Sequence, residues 1–313
     1  MLEVIDLNAG YEFRNKFVHA VRNVSLKVED GDFFGIAGES GCGKSTFVLA
    51  LLRLLKRPGK IISGKVLVDG TDILSLDEKT LRKKRWKDFS LVTQSSMNSL
   101  NPVLKIKDQM ADVLVKNHGY SMQQAIEIIR DRLELVGISP DRMESYPHQL
   151  SGGMRQRVVI AMALLLSPKI IFMDEPTTAL DVVVQRSILE KIEELRKKEK
   201  FSTVFITHDI SLLFEMANKI AIMYAGEMVE VGDAKSVYTR PLHPYTKGLI
   251  EALPSISGTL QEYKSIPGRP VDLSLKIVGC PFADRCSYAF DKCTKEKPNL
   301  KEIDGRWVSC HLY

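Results

Sequence analysis

The run Gly38-Glu39-Ser40-Gly41-Cys42-Gly43-Lys44-Ser45-Thr46 fits the spacing G-x-x-x-x-G-K-[ST], the pattern of a loop that cradles phosphate. The chemistry needs these residue types. Glycines let the backbone curl until successive N–H groups point inward at anionic oxygens. A helix opening at Lys44 turns its positive end to the same place. Lys44 has the reach for β- and γ-phosphates, and the Ser45 hydroxyl can hold Mg2+. Ser40, Gly41, Cys42, Gly43 and Thr46 complete the cradle, with Cys42 a filler whose thiol the chemistry does not use. A chance glycine-rich turn would lack flanking elements. Here the apolar run 32–37 predicts a strand directly before the loop, and a helix follows it.

A second constellation is Asp174-Glu175, delivered by the apolar run 169–174. Such a run predicts a buried parallel strand, and ligands bind beyond the C-terminal edge of sheets of this kind. Asp174 is placed to act on Mg2+, directly or through water. Glu175, one residue further, can hold a water in line with a γ-phosphate. As a general base it must come within hydrogen-bond reach of that water. Two exposed acids at a strand end would mean little alone; beside a phosphate loop they read as chemistry.

The elements that must position these groups follow from periodicity. Strands are expected at 32–37, 65–70, 89–94, 169–174 and 202–209, and a hairpin over 220–232 around Ala225-Gly226-Glu227. Helical spacing runs from about 98 to 165 and again over 183–199. Strands alternating with helices indicate an α/β fold on a parallel sheet. The insert over 98–165 is too long for a crossover and is expected to form a subdomain of its own. Beyond Gly232, prolines recur at 241, 244, 254, 267, 270 and 281 and periodicity fades. That tail is expected to wrap in loops and to end in a small cysteine-bearing module. No internal repeat occurs, so one nucleotide unit per chain is expected.

Composition removes other classes. The chain has 313 residues, 44% of them hydrophobic, enough to bury a full core without disulfides or metals. No apolar run approaches the roughly 20 residues that span a bilayer. The opening residues, Glu3 and Asp6 among them, do not read as a signal peptide. A cytoplasmic protein that meets the membrane only through a partner is expected. The charge of +5 is spread along the chain rather than gathered into a basic face, so nucleic acid is not an expected partner.

The run Leu150-Ser151-Gly152-Gly153-Met154-Arg155-Gln156-Arg157 resembles the signature sequence of ABC ATPases. The resemblance implies a P-loop ABC ATPase core over 1–235, with a parallel sheet, an antiparallel β subdomain and the helical subdomain at about 98–165. It implies two subunits that sandwich two ATP molecules head to tail. Ser151, Gly152, Gly153 and Asp181 would then complete the partner's site in trans, a use suited to bare amides at a helix N-terminus. Tyr11 matches the aromatic that stacks on adenine, and Gln94 the glutamine that contacts Mg2+ and water and senses the membrane partner. Ala179-Leu180-Asp181 matches the D-loop, and His208, in Thr207-His208-Asp209, the switch histidine. The resemblance thus assigns catalysis to Glu175, His208 and Gln94, and Mg2+ to Ser45, Gln94 and Asp174. Closure on ATP and reopening after hydrolysis would drive the partner as a two-state motion. Soluble ABC proteins that act on ribosomes or DNA carry two ATPase units or a long coiled-coil insert, and neither is present.

Other stretches narrow the resemblance to the oligopeptide and dipeptide importer ATPases of bacteria and archaea, most of all the D-type dipeptide subunits. They are Met97-Asn98-Ser99-Leu100-Asn101-Pro102, Tyr146-Pro147-His148-Gln149 and Pro241-Leu242-His243-Pro244-Tyr245-Thr246-Lys247, followed by Ala252-Leu253-Pro254 and Ile266-Pro267-Gly268. Ser95-Ser96 departs from the Asp-Pro usual there, in the loop that faces the membrane partner. The implied partners are a second, different ABC ATPase subunit, two transmembrane permease subunits and an extracytoplasmic substrate-binding protein, with this chain peripheral on the cytoplasmic face of the membrane. Similar subunits also import nickel chelates or oligosaccharides.

Residues 236–313 form the implied C-terminal extension, and within 280–310 fall Cys280, Cys286, Cys293 and Cys310. Disulfides do not suit a reducing cytoplasm. Four thiolates suit Zn2+ or an iron–sulfur cluster. No C-x-x-C pair of the usual zinc kind occurs, and the spacing matches neither ferredoxin pattern. Some related importer ATPases carry a cluster on similar cysteines, so the resemblance points to [4Fe–4S], with Zn2+ or free thiols as alternatives. His311 could replace one ligand but reads better as a surface residue.

Overall fold

The structure, a computed structural model, describes residues 1–14, 16–94, 99–177, 181–253 and 266–313. Two compact units emerge, one of residues 1–28, 32–74 and 206–313, the other of residues 29–31 and 75–205. The chain opens with two long strands, β1 (Leu2–Phe13) and β2 (Lys16–Val28). Next come β3 (Phe33–Ala37), α1 (Lys44–Leu51), β4 (Gly59–Val68) and the two-residue β5 (Thr71–Asp72). The order β2-β1-β4-β5 makes an antiparallel sheet, the β subdomain that the resemblance implies. All five residues of β3 are buried, which explains its unbroken apolar run.

The second unit holds α2 (Glu78–Lys84), β6 (Phe89–Val92), α3 (Ile106–Asp112), α4 (Met122–Leu135), α5 (Gly152–Ala163), β7 (Ile170–Asp174), α6 (Val182–Glu199) and β8 (Ser202–Ile206). Its strands lie in the order β8-β7-β6, with β6 and β7 parallel from Phe89 opposite Ile170 to Val92 opposite Met173. The expected helical insert is α3 to α5. Local chemistry starts α4: Ser121 Oγ accepts the Gln124 N–H at 3.2 Å and Gln124 Oε1 accepts the Ser121 N–H at 2.9 Å. Ala125, Ile129 and Leu133, four residues apart, form its buried stripe. In α6, the stripe is Ile188, Leu189, Ile192 and Leu195.

The chain then returns to the first unit through α7 (Ile210–Met216), β9 (Lys219–Tyr224) and β10 (Glu227–Asp233). β9 and β10 are the expected hairpin. Ala225 and Gly226 form its two-residue turn at φ of 50° and 84°, the positive values such a turn demands. β3 pairs in parallel with β9, Phe34 opposite Lys219 and Ala37 opposite Ile222.

The tail differs from the loop-wrapped segment expected. It forms α8 (Ala234–Thr239), α9 (Pro244–Glu251), α10 (Asp291–Lys295), β11 (Lys301–Ile303) and β12 (Arg306–Val308). β12 adds to the sheet beside β10, Glu230 opposite Val308 and Val231 opposite Trp307, giving the order β11-β12-β10-β9-β3. The sheet is therefore mixed rather than purely parallel. Strands of three residues are too short to show alternation, which is why periodicity faded. Glu230 is fully buried and accepts the N–H groups of Leu242 and His243, each at 2.9 Å, which ties the start of the tail to β10. Complete burial lowers the His243 pKa to about 3, and its Nδ1 accepts the Tyr245 N–H at 3.0 Å. Among the described residues no helix is long and apolar enough to cross a membrane.

Candidate functional site

In the first unit, the loop after β3 ends at Gly43, which sits at φ 112° directly before α1. A Cβ at Gly43 would stand 2.1 Å from the Ala20 carbonyl oxygen, so only glycine fits. Ser40, Gly41 and Ser45 are exposed, while Lys44 is buried and Thr46 half-buried. Lys44 Nζ donates to the carbonyls of Gly38 at 2.7 Å and Glu39 at 2.9 Å, so its charge is held at the mouth of the cradle. Burial raises the Cys42 thiol pKa, with Lys44 opposing it in part, and a buried protonated thiol fits the filler role. The Tyr11 hydroxyl lies 3.1 Å from Thr46 Oγ1, which brings the adenine-stacking candidate to the cradle. His208 stands exposed after β8, and its neighbour Asp209 caps α7 by accepting the Leu212 N–H at 3.0 Å.

In the second unit, β7 ends on Asp174, only 6% exposed. Glu175 follows at φ 46°, a left-handed conformation unusual for a glutamate. That turn takes the side chain out of the strand's alternation. Gln94 Nε2 donates to Glu175 Oε2 at 2.9 Å, so two of the candidate residues meet. Ser151 caps α5, accepting the Met154 N–H at 3.3 Å, and Gly152 and Gly153 form its first turn. Asp181 caps α6, accepting the Val184 N–H at 3.0 Å. These two caps are neighbours: a Cβ at Gly153 would stand 2.9 Å from Val184 Cγ1. Ala179 and Leu180 of the D-loop match, with Ser95, Ser96, Met97, Asn98 and Pro254, lie outside the described residues.

A model of the ABC transporter family matches residues 21–178. The chain is also 42% identical over 317 aligned positions to a dipeptide transport ATP-binding protein, DppD, of Caldanaerobacter subterraneus subsp. tengcongensis, covering 100% of this chain and 97% of that protein. The chain belongs to the ABC transporter family. This ABC ATPase is likewise 40% identical to DppD of Escherichia coli K12, over 99% of its own length and 96% of the relative. It is 41% identical to the oligopeptide transport ATP-binding protein OppD of Bacillus subtilis, covering 100% of this chain and 88% of that one. A second model, of the oligopeptide/dipeptide transporter C-terminal region, matches residues 229–293. Among solved structures, the dimeric post-hydrolysis state of the cassette MJ0796 bound to ADP and Pi is 28% identical with a TM-score of 0.64, over 75% of this chain and 99% of the other.

The cysteines of the ABC ATPase tail are only partly gathered. The Cys280 N–H donates to the Cys293 carbonyl at 2.7 Å, and short turns link Cys280 to Ala283 and Ala283 to Cys286. Burial first, then the neighbouring thiols of Cys310, Cys293 and Cys286, push the Cys280 pKa up to about 11. Among the described residues, however, no group of three or more His, Cys, Asp or Glu side chains is arranged to hold a metal ion. The four-cysteine metal module that the resemblance implies is therefore not seen as a ligand set among these residues. His311 is engaged elsewhere, its Nε2 lying 2.8 Å from the Glu296 carbonyl oxygen. Sequence reading missed two residues that touch the cradle, Tyr245 and Arg285. Their partner, Glu39, is more than 200 positions away in the chain, and only a long-range pairing signal could have shown it.

Proposed function

We propose that this chain is the ATP-hydrolysing subunit of an importer of dipeptides or oligopeptides. The observation that carries the cargo class is the match to the oligopeptide/dipeptide transporter C-terminal region over 229–293, because the cassette alone is common to all ABC transporters. The names of the full-length relatives favour the same class over nickel chelates or oligosaccharides.

Each side chain then has a task. Lys44 supplies positive charge to the β- and γ-phosphates, with backbone amides of Gly41, Cys42 and Gly43 around them. Tyr11 stacks on adenine, and Ser40 and Thr46 complete the cradle. The Ser45 hydroxyl, the Gln94 amide and the Asp174 carboxylate are hard oxygen donors of the kind Mg2+ takes, so the donor set fits that ion. Mg2+, when bound, neutralises charge on the phosphates. Glu175 accepts the proton of the attacking water, and Gln94, donating to one carboxylate oxygen, aims it. His208 contacts the γ-phosphate. Ser151, Gly152, Gly153 and Asp181 serve a second ABC ATPase subunit in trans, in a heterodimer under two permease subunits fed by a substrate-binding protein. The chain works at the cytoplasmic face of the membrane as a peripheral subunit. Deleting its gene should abolish uptake of a labelled dipeptide and leave nickel and oligosaccharide uptake unchanged. Unchanged dipeptide uptake beside a lost nickel or sugar uptake would move the motor to the other cargo.

A second reading concerns the tail. Four cysteine thiolates are the ordinary ligand set of a [4Fe–4S] cluster, and backbone contacts already join the Cys280, Cys286 and Cys293 segments. The module would hold the cluster as a clip, with no step of hydrolysis passing through it. Protein purified without oxygen should contain about four irons and four sulfides per chain. One zinc without iron would replace the cluster by Zn2+, and neither metal would leave four free thiols.

A further inference from the structure

The C-terminal extension reaches back onto the phosphate loop at one residue, Glu39. Arg285 grips its carboxylate with both arms of the guanidinium fork, Nη1 to Oε2 at 2.7 Å and Nη2 to Oε1 at 2.8 Å. The Arg285 side chain is 5% exposed and that of Glu39 24%, so the pair is shielded from water on the arginine side. A bidentate pair of this kind fixes direction as well as distance. Arg285 is itself immobilised. Its Nε donates to the Pro267 carbonyl at 2.8 Å, and its guanidinium lies 5.7 Å from the centroid of Tyr224 and 5.9 Å from that of Phe282.

A second contact reaches the same residue from another helix. Tyr245, near the start of α9, is fully buried against Tyr224 and Phe282, with ring centroids 4.6 and 5.3 Å away. Its hydroxyl accepts the Glu39 backbone N–H at 2.9 Å. Glu39 is therefore held at its amide by α9 and at its carboxylate by the cysteine-bearing module. What these contacts restrain matters because the Gly38 and Glu39 carbonyls hold Lys44 Nζ at 2.7 and 2.9 Å, with the Cys42 sulfur a longer third acceptor at 3.7 Å.

We infer that Arg285 and Tyr245 are positioning residues for ATP binding: through Glu39 they fix the backbone that presents Lys44. The tail is on this account part of the nucleotide-binding machinery of its own chain. Freed of the clamp, the loop samples more conformations, and ATP binding bears the cost of ordering it again.

Charge alone argues for the opposite outcome, which makes the test sharp. Glu39 is an acid beside an anion site, so neutralising it should tighten ATP through the field and loosen ATP through the clamp. Titrating the full chain with MgATP by calorimetry reads affinity and the fraction of competent sites separately. Glu39→Gln and Arg285→Ala should each weaken ATP about tenfold, or about 1.4 kcal/mol, with stoichiometry unchanged. The double variant should be no weaker than Arg285→Ala, because both changes remove one interaction. Tyr245→Phe should weaken ATP about threefold. A purely structural role predicts lost stoichiometry at unchanged affinity. Should Arg285→Ala fail to fold, Glu39→Gln and Tyr245→Phe decide, since Glu39→Gln keeps the side chain's length and an acceptor oxygen for Arg285 and Tyr245→Phe removes only a hydroxyl. Wild-type or tighter affinity in Glu39→Gln, or losses that simply add in the double variant, overturns the inference.

Discussion

Glu175→Gln should lower ATP turnover by about 1,000-fold, within the range general-base removal commonly gives, and leave ATP affinity within about twofold. The substitution changes almost nothing but basicity. Gln has the length and planarity of Glu, and its carbonyl oxygen can still accept the Gln94 Nε2 donor that lies 2.9 Å from Glu175 Oε2. It can also keep the backbone of φ 46°, since it is no more branched than the residue it replaces. What it cannot do is take a proton from water. The left-handed turn at Glu175 costs of order 1–3 kcal/mol and persists where a site over-determines it. Here it redirects a carboxylate at the C-terminal end of the parallel β6–β7 pair, the place where parallel strands bind ligands. Single-turnover hydrolysis of labelled ATP, beside a calorimetric titration, separates chemistry from binding. Turnover near the parent rate would remove Glu175 from the base role and leave Gln94 orienting something else. Loss of both turnover and affinity would mean that the carboxylate supports the fold of the loop.

The parts of this site that were legible in sequence share one property: their logic is local. The phosphate loop is a contiguous run whose glycines, lysine and hydroxyls all act within nine residues, 38–46. The β3 and β7 strands are buried along their whole length, so each appeared as an unbroken apolar run. The β9–β10 hairpin was visible because its turn needs positive φ at Ala225 and Gly226. The α4 helix showed through its apolar spacing, with Ala125, Ile129 and Leu133 four residues apart. What stayed hidden depends on pairings distant in sequence. β12 has three residues and no pattern of its own; it is a strand because Val308 meets Glu230. The Gln94–Glu175 contact spans 81 positions and the Arg285–Glu39 clamp 246. Nothing in the spacing of the four cysteines dictates how their sulfur atoms are arranged.

The hidden pairings are also where the tail's stability should reside, and Arg306→Ala tests that. Arg306 and Glu230 face each other at 3.5 Å, with side chains 3% and 0% exposed. The arginine does more than balance charge. Its Nη1 donates to the carbonyls of Ser236 at 3.1 Å and Arg240 at 2.6 Å, and its stem packs so tightly on Gly232 that a Cβ there would lie 2.5 Å from Arg306 Cγ. Removing it takes a donor from the Arg240 carbonyl, while that of Ser236 keeps the Arg240 N–H at 3.0 Å; it also opens a gap and leaves Glu230 with a buried charge. Truncating one partner of such a pair costs about 3–5 kcal/mol, most of it the uncompensated partner. The loss should be confined to the tail's own elements, so hydrogen exchange is the measurement. Amides of α8, β11 and β12 should exchange at least about 100-fold faster, since each 1.4 kcal/mol is a factor of ten, while those of α4 keep their protection. Unchanged exchange in the tail would mean that strand pairing and the aromatic cluster hold it without the ion pair. Faster exchange in α4 as well would mean that the tail stabilises the whole cassette rather than docking onto it.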